Sequence, residues 1–301
     1  MASEHGTVEG VTGVADGVQG QGLRIVGLNA FLPGFRLVHE FAERNGHEVV
    51  LVVTLPETGR YGAAVQPMVT GLPEQTDVLI TRKLRTVAAP VIDALRPDVI
   101  ISAAFPRLIP PEILEIPKYG AINCHPSPLP AGRGPTPQRL IYEGDERVGA
   151  TVHRTAAGFD TGAILAQRIV PLPDDLNGTG IMQVWGYLLG QCLDEAVPHL
   201  VAGDPGEPQD PAAAGEAPFF TEAELLLDLT EPSAVVRRKA AALNVTSPQA
   251  KVHLAGTTYV ITRTDVVPAG SVSMSEPGSV LEEHEDGWTV QTGDLPLRLT
   301  D

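Results

Sequence analysis

The chain has 301 residues, 43% of them hydrophobic, and its 37 acidic side chains outnumber the 21 basic ones to give a formal net charge of −16. This composition excludes a disordered chain and predicts two domains, since one domain usually holds roughly 100–200 residues, and the negative charge disfavours long-range attraction to nucleic acid or an anionic membrane. No apolar stretch reaches the roughly 20 residues that cross a bilayer, and with only two cysteines the chain is expected in the cytoplasm.

The first half of the chain alternates strand and helix signals after a polar tail. Residues 1–21 have neither the basic start nor the apolar centre of a secretory signal and are predicted to form a flexible tail. An apolar run at 23–28 precedes an amphipathic stretch from Pro33 to Asn45, with Gly46 where the helix should stop. Further short apolar runs follow at 49–53, 78–80, 99–103 and 119–123. This alternation predicts a Rossmann-like α/β fold whose sheet is largely parallel and buried on both faces.

The second half contains the predicted domain boundary. A strand at 163–170 and a long helix at 180–200 complete a predicted catalytic domain over residues 22–202. Residues 203–231 start with a stretch rich in proline, glycine and acid that has no apolar periodicity, so they are predicted to be a linker. Residues 232–301 contain a helical stretch at 233–243 and then short β-like runs between glycines, which predict a small, OB-like β-barrel.

Two polar side chains lie at the end of a predicted strand and are candidates for chemistry. Asn123 and His125 are two residues apart and therefore point to the same side, at the edge of the sheet where ligand crevices form. An amide can hold a developing oxyanion, an imidazole can exchange a proton near neutral pH, and Asp160 can orient that imidazole. By spacing alone, a turn-forming asparagine and a structural histidine are the more common interpretation.

A longer pattern distinguishes these interpretations. The segments INCHPSPLP (122–130), GRG (132–134) and GFDTG (158–162) resemble the folate-dependent formyltransferase family. The resemblance implies 10-formyltetrahydrofolate as co-substrate, an amine as acceptor, and no metal. It also implies that Asn123 hydrogen-bonds the formyl oxygen, that His125 assists proton movement, and that Asp160 orients His125.

The resemblance also implies two binding regions. The cofactor-binding region is expected to read the pterin ring and leave the folate glutamate tail toward solvent; it comprises Phe105, Arg107, Leu108, Ile109, Pro110, Ala156, Gly158 and Phe159. The second is a proline-rich loop expected to line the acceptor channel, with Arg133 as its one positive contact; its residues are Ser127, Pro128, Leu129, Arg133 and Gly134.

The acceptor is inferred from charge. An enzyme that acts on tRNA needs positive surface, yet the loop at 54–76 has Arg60 as its one base, and residues 232–301 hold six bases against eight acids. The basic clusters at 82–85 and 237–239 are predicted to be solvated helix faces. We therefore expect a small or carrier-bound amine, such as a sugar amine, an amino acid or a specialised metabolite. A methionyl-tRNA formyltransferase and a 10-formyltetrahydrofolate hydrolase are the alternatives, and the sequence leaves the oligomeric state open.

Other functional classes are disfavoured by the motifs. Asp160-Thr161-Gly162 is the tripeptide of aspartic proteases, but the chain has no second copy to supply the facing carboxylate. Cys124, His125, His153 and Cys192 match no usual zinc spacing, and structural roles are predicted for His153 and Cys192. The first strand is followed by neither a dinucleotide fingerprint nor a P-loop.

Overall fold

Two regions of the chain are described by a computed structural model, which covers residues 22–56, 65–173, 177–268, 270 and 273–301. The predicted tail at 1–21 lies outside the described residues, as do residues 57–64 of the loop used in the charge argument, Arg60 included. No helix within the covered ranges is long and apolar enough to span a membrane.

The first region is built on a seven-stranded sheet of order β3-β2-β1-β4-β5-β6-β7. The first five strands are parallel to one another, whereas β6 and β7 pair antiparallel. The Rossmann-like, largely parallel sheet is thus confirmed, with β6 as a strand that was not predicted. The strands are β1 (Arg24–Asn29), β2 (Glu48–Thr54), β3 (Val78–Ile80), β4 (Val99–Ala103), β5 (Ala121–His125), β6 (Arg147–Arg154) and β7 (Ile164–Pro171).

Helices cover both faces of this sheet, which explains why its strands read as continuous apolar runs. In β4, Ile101 packs with residues of α1 and α6 on one face, and Ile100 packs with residues of α3 and α4 on the other. A π-helical turn at Leu84–Ala88 leads into α3. The helices are α1 (Leu32–Arg44), α2 (Val65–Thr70), α3 (Ala89–Leu95), α4 (Pro111–Leu114), α5 (Arg139–Glu143) and α6 (Gly178–Val201).

The second region consists of one helix and two antiparallel sheets around a separate apolar core. The predicted β-barrel corresponds to a four-stranded sheet of order β10-β13-β12-β11 and a hairpin of β8 and β9. Helix α7 supplies Val236 to this core and Ala242 to the core of the first region. The elements are α7 (Ser233–Leu243), β8 (Lys251–Leu254), β9 (Thr257–Val260), β10 (Arg263–Val266), β11 (Val280–His284), β12 (Gly287–Gln291) and β13 (Pro296–Thr300).

The segment at 203–218, here called the interdomain strap, is hydrogen-bonded along the first region. Glu207 and Ile164 exchange two backbone hydrogen bonds of 2.8 Å at the start of β7. Further along, Arg133 N donates to Gly215 O at 2.9 Å, and Ala217 N donates to Arg133 O at 2.6 Å. This part of the predicted linker is therefore held along the first region by its backbone. These four hydrogen bonds join backbone groups, so the composition of the side chains in the strap does not reveal them.

Candidate active site

Asn123, His125 and Asp160, the three residues predicted to be catalytic, converge at the carboxyl end of β5. Asn123 Nδ2 lies 3.2 Å from Asp160 Oδ1, to which it donates a hydrogen bond. His125 Nδ1 lies 3.6 Å from Asp160 Oδ2. An amide, an imidazole and a carboxylate thus meet at the edge of the sheet where open α/β folds bind their ligands.

His125 is buried and its two ring nitrogens face oxygen atoms. Nε2 lies 2.8 Å from the carbonyl oxygen of Gly132 and therefore carries a proton, because a carbonyl oxygen only accepts. Burial lowers the pKa of His125, while the nearby charge of Asp160 and the Gly132 hydrogen bond act in the opposite direction. The ring is thus neutral at higher pH and gains its second proton on Nδ1, beside the carboxylate.

Asp160 is held ionised by its surroundings, although its side chain is only 10% exposed. Burial raises the pKa of this carboxyl, but His153, whose Nε2 lies 3.6 Å from Oδ1, the charge of His125 and a hydrogen bond from Gly134 N outweigh it and bring the pKa to about 2. Gly134 N donates to Oδ2 at 2.9 Å, from a glycine whose φ of +111° disfavours any other residue. The carboxylate is therefore an acceptor at any physiological pH.

The turn that presents Asp160 is sterically restricted. Asp160 itself has a φ of 52°, in the left-handed region that few non-glycine residues adopt. Two residues later, a Cβ atom on Gly162 would lie 1.7 Å from the carbonyl oxygen of Arg154. The Asp-Thr-Gly sequence thus has a local structural reason: only glycine lets the chain return this close to β6.

His153 is a fourth side chain at this position. It lies directly opposite Asn123 in the antiparallel pairing of β5 and β6, so both side chains share one face. Its Nδ1 donates to the carbonyl oxygen of Arg154 at 2.8 Å, and its Nε2 lies 3.2 Å from Asn123 Nδ2. In the neutral ring Nε2 is therefore an acceptor, and together with Asp160 it fixes the plane of the Asn123 amide.

Replacing His153 with phenylalanine should lower kcat about fivefold, because one hydrogen bond to the Asn123 amide is worth roughly 1 kcal/mol. Glutamine at the same position places an amide near the site of Nε2 and should restore most of the loss. Steady-state kinetics of both variants measures this. A wild-type kcat in the phenylalanine variant would show that His153 does not position the Asn123 amide for turnover.

A cavity of about 810 Å³ brings together most of the predicted cofactor-binding residues. Arg107, Leu108, Ile109, Pro110 and Phe159 line it, and the side chains of Leu108 and Phe159 are about half exposed. Phe105 packs against the apolar core beneath, and neither Ala156 nor Gly158 is part of the lining, although Ala157 between them is. The two predicted halves of this region, 105–110 and 156–159, thus meet across one cavity.

Part of the wall of this cavity is basic. Arg82, Lys83 and Arg85 line it, with Arg85 paired to Glu112 at 3.0 Å. The sequence predicted a solvated helix face here. These side chains are exposed, and they also line the same cavity as Arg107, because Lys83 immediately precedes the π-helical turn at Leu84–Ala88.

The proline-rich loop differs from its predicted role at most positions. Ser127, Pro128 and Leu129 are buried, and the Ser127 hydroxyl donates to Ala131 O at 2.8 Å, so these residues shape the loop rather than line a channel. Arg133 donates from Nε and Nη2 to Gln209 Oε1, at 3.1 and 2.7 Å. The guanidinium that was predicted to contact the acceptor is thus hydrogen-bonded to the strap. Of these five residues, Gly134 is the one that hydrogen-bonds the Asp160 carboxylate.

Thiol and metal chemistry find no support among the described residues. Cys124 is buried and free, and burial raises the pKa of its thiol, as expected of a packed apolar residue. Nowhere in the described ranges do three or more His, Cys, Asp or Glu side chains form a group suited to a metal ion.

Comparison with known proteins finds relatives of both regions of the chain. Residues 27–183 match the family described as Formyl transferase, and residues 220–301 match Formyl transferase, C-terminal domain. The methionyl-tRNA formyltransferase of Geobacter sulfurreducens is 31% identical over 279 residues, covering 90% of this chain and 86% of that protein. That of Bacillus licheniformis is 34% identical over 265 residues, with 85% and 83% covered.

Among solved structures, HypX from Aquifex aeolicus in complex with tetrahydrofolic acid has a similar fold. The TM-score is 0.68 at 20% identity, and the match covers 92% of this chain but only 43% of the HypX chain. The two family matches and the relatives that span both regions show that the chain belongs to the folate-dependent formyltransferase family, whose members are enzymes that transfer a formyl group.

Proposed function

We propose that this enzyme moves the formyl group of 10-formyltetrahydrofolate to a primary amine, with Asn123, His125 and Asp160 as its catalytic residues. The convergence of these three side chains at the end of β5 is the observation that carries the proposal. The neutral amine attacks the formyl carbon. The oxyanion that forms accepts an N–H of Asn123 in place of one of the two present acceptors of that amide, Asp160 Oδ1 and His153 Nε2. His125, which Asp160 orients, takes the proton released by the amine on Nδ1 and returns it to the departing tetrahydrofolate nitrogen.

The co-substrate fits the cavity beside this site. The faces of a pterin ring are flat and apolar, and they suit contact with Leu108 and Phe159. The polar edge of the ring would hydrogen-bond backbone groups of the segment that ends at Pro110. The glutamate tail of the folate carries carboxylates, and the basic wall of Arg82, Lys83 and Arg85 supplies opposite charge within a strongly acidic protein. We therefore place the tail along this wall, which revises the expectation that it points away into solvent.

Lys83→Glu should raise the KM for a co-substrate with several glutamates about fivefold, since reversing one charge near a carboxylate costs about 1 kcal/mol in water. The KM for the monoglutamate should change less. Lys118→Glu is the matched control: it makes the same charge change on an exposed lysine that precedes the opposite end of β5. Equal effects of the two variants on both co-substrates would show that the tail does not reach this wall.

For the acceptor, the relatives favour the α-amino group of methionyl-tRNA. Two methionyl-tRNA formyltransferases align with this chain over 85–90% of its length, through both regions, at 31% and 34% identity. Similarity of this extent supports methionyl-tRNA as the acceptor, although the negative charge of the protein disfavours tRNA binding. We therefore take methionyl-tRNA as the first candidate.

A small or carrier-bound amine is the second candidate, and a specific observation favours it. In the second region the bases are few and several are already paired: Lys239 with Glu231, Lys251 with Glu222 and Arg263 with Asp265. Little positive surface is thus left there to neutralise tRNA phosphates, which dominate nucleic-acid affinity.

One assay distinguishes the acceptors. The enzyme is incubated with 10-formyltetrahydrofolate and either methionyl-tRNA or a panel of amino sugars and amino acids, and products are followed by mass spectrometry. Formyl-methionyl-tRNA supports the first candidate, and a formylated small amine supports the second. Formate released with every acceptor would indicate a hydrolase instead, and no consumption of the folate would overturn the proposal.

A further inference from the structure

Gln209, in the interdomain strap, makes a complete set of hydrogen bonds beneath the catalytic carboxylate. Its Nε2 donates to the carbonyl oxygens of Asp160 and Gly162, each at 2.8 Å. Its Oε1 accepts from Nε and Nη2 of Arg133. Both donors and the acceptor oxygen of this amide are therefore in use, and no part of it is left for solvent.

These contacts join two segments that each determine where the Asp160 carboxylate lies. The first is the left-handed turn itself, in which the carbonyls of Asp160 and Gly162 converge on one nitrogen. The second is the loop in which Arg133 precedes Gly134, whose N–H donates to Asp160 Oδ2. A strained backbone conformation persists only when its surroundings fix it. Gln209, which belongs to the interdomain strap, hydrogen-bonds the turn at Asp160 and so helps to fix its left-handed conformation.

The strap holds Gln209 in place on both sides. Glu207, two residues before it, pairs with Ile164, and Gly215 and Ala217, after it, pair with the proline-rich loop. Asp210 caps the short 3₁₀ turn that follows by accepting from Ala212 N at 2.8 Å. The glutamine is thus presented by a segment with anchored backbone and is itself half-buried.

We propose that Gln209 is a positioning residue for Asp160, and that the interdomain strap is a part of the active site. The inference rests on the proposed role of Asp160 in formyl transfer. It also assigns Arg133 a role through Gln209 and Gly134, in place of direct contact with the acceptor.

Two substitutions test the proposal by turnover. Gln209→Ala removes all four hydrogen bonds, and Gln209→Glu keeps an acceptor for Arg133 but has no donor for the two carbonyls. Both should lower kcat by about 10- to 100-fold, as expected when a catalytic group is misplaced by about 1 Å, with the affinity for 5-formyltetrahydrofolate unchanged. Gln191→Glu, on the exposed face of α6, is the matched control and should behave as wild type. Wild-type turnover in both Gln209 variants overturns the proposal.

A second readout separates positioning from a merely structural role and does not depend on the acceptor. The imidazole of His125 faces two titratable groups, Asp160 and His153, and its titration can be followed by NMR. A loosened Asp160 carboxylate stabilises the imidazolium less, so both Gln209 variants should titrate His125 at lower pH than wild type. An unchanged His125 titration overturns the proposal, even if turnover falls.

Arg133→Ala completes the test as a double-mutant cycle. If Arg133 acts through Gln209, its substitution has little further effect in the Gln209→Ala background. If Arg133→Ala lowers turnover equally in the wild type and in the Gln209→Ala variant, Arg133 acts independently of Gln209. That result would favour its predicted contact with the acceptor and overturn the role assigned to it through Gln209. Should the wild-type enzyme transfer no formyl group to any amine, the proposed function fails, while the His125 titration still decides the role of Gln209.

Discussion

Asp160→Asn should lower turnover by about 10³-fold or more, as when the carboxylate that orients a catalytic histidine is replaced by its amide. The wild-type carboxylate accepts from Asn123 Nδ2 and Gly134 N and faces His125 Nδ1. An amide cannot accept at both positions, so one donor is left facing an NH₂ group and the imidazolium loses its counter-charge. The measurement is kcat with the preferred acceptor at saturating folate. Asp194→Asn on α6, outside the site, is the control, and equal turnover of the two variants would remove Asp160 from the mechanism.

The same substitution should change how stability depends on pH. The pKa of Asp160 is lowered from 3.8 to about 2, so its stabilising contribution is fully present above the unfolded-state value and is lost as the pH falls toward 2. At neutral pH the contribution is worth about 2 kcal/mol, and the asparagine variant should lack it. Urea unfolding at neutral pH and near pH 3 measures the difference, which should shrink in acid.

Asn123→Ala should lower kcat by about 10²- to 10³-fold, the loss typical of removing one oxyanion donor. Asn123 supplies an N–H whose position is set by Asp160 and His153, and alanine leaves the developing charge without it. Binding of 5-formyltetrahydrofolate should persist, because the cavity lining does not include this residue. Steady-state and binding measurements on the variant test both statements, with Asn45→Ala on the exposed end of α1 as control. A loss of folate binding equal to the loss of kcat would indicate a binding role instead.

Much of the fold is predictable because the sheet is buried on both faces. A strand such as β4 must then be apolar at every position, and its predicted bounds coincide with those in the structure. Helix α7 is equally well defined, at 233–243, by the proline before it and its apolar spacing. The pairing of Asn123 with His125 is predictable for a different reason: both lie on one strand, so period-two geometry turns their side chains to the same side. The catalytic roles proposed for them and for Asp160 are inferred from the family resemblance of residues 122–134 and 158–162, and not from this spacing.

Other parts of the site are determined by pairing between distant segments. His153 contacts Asn123 only because β6 pairs antiparallel with β5, and no prediction placed a strand at 147–154. The β-branched run that ends at Val152 was the signal available for it. Gln209 is harder to identify, since its contacts are to backbone carbonyls of Asp160 and Gly162, which any sequence offers. The basic residues at 82–85 have a recognisable charge, but only the tertiary fold shows that they line the cavity beside Arg107.

The hydrogen bonding of the strap sets a rule for building chimaeras of this enzyme. A crossover placed at residue 203, where composition suggests a seam, would replace Gln209 and the groups that pair with Arg133 by those of a foreign sequence. A crossover after Pro218, whose carbonyl oxygen accepts from the buried Arg139, keeps every one of these contacts with its native partner. Exchange of C-terminal modules among relatives is therefore compatible with an intact catalytic centre only when the donor segment starts beyond this point.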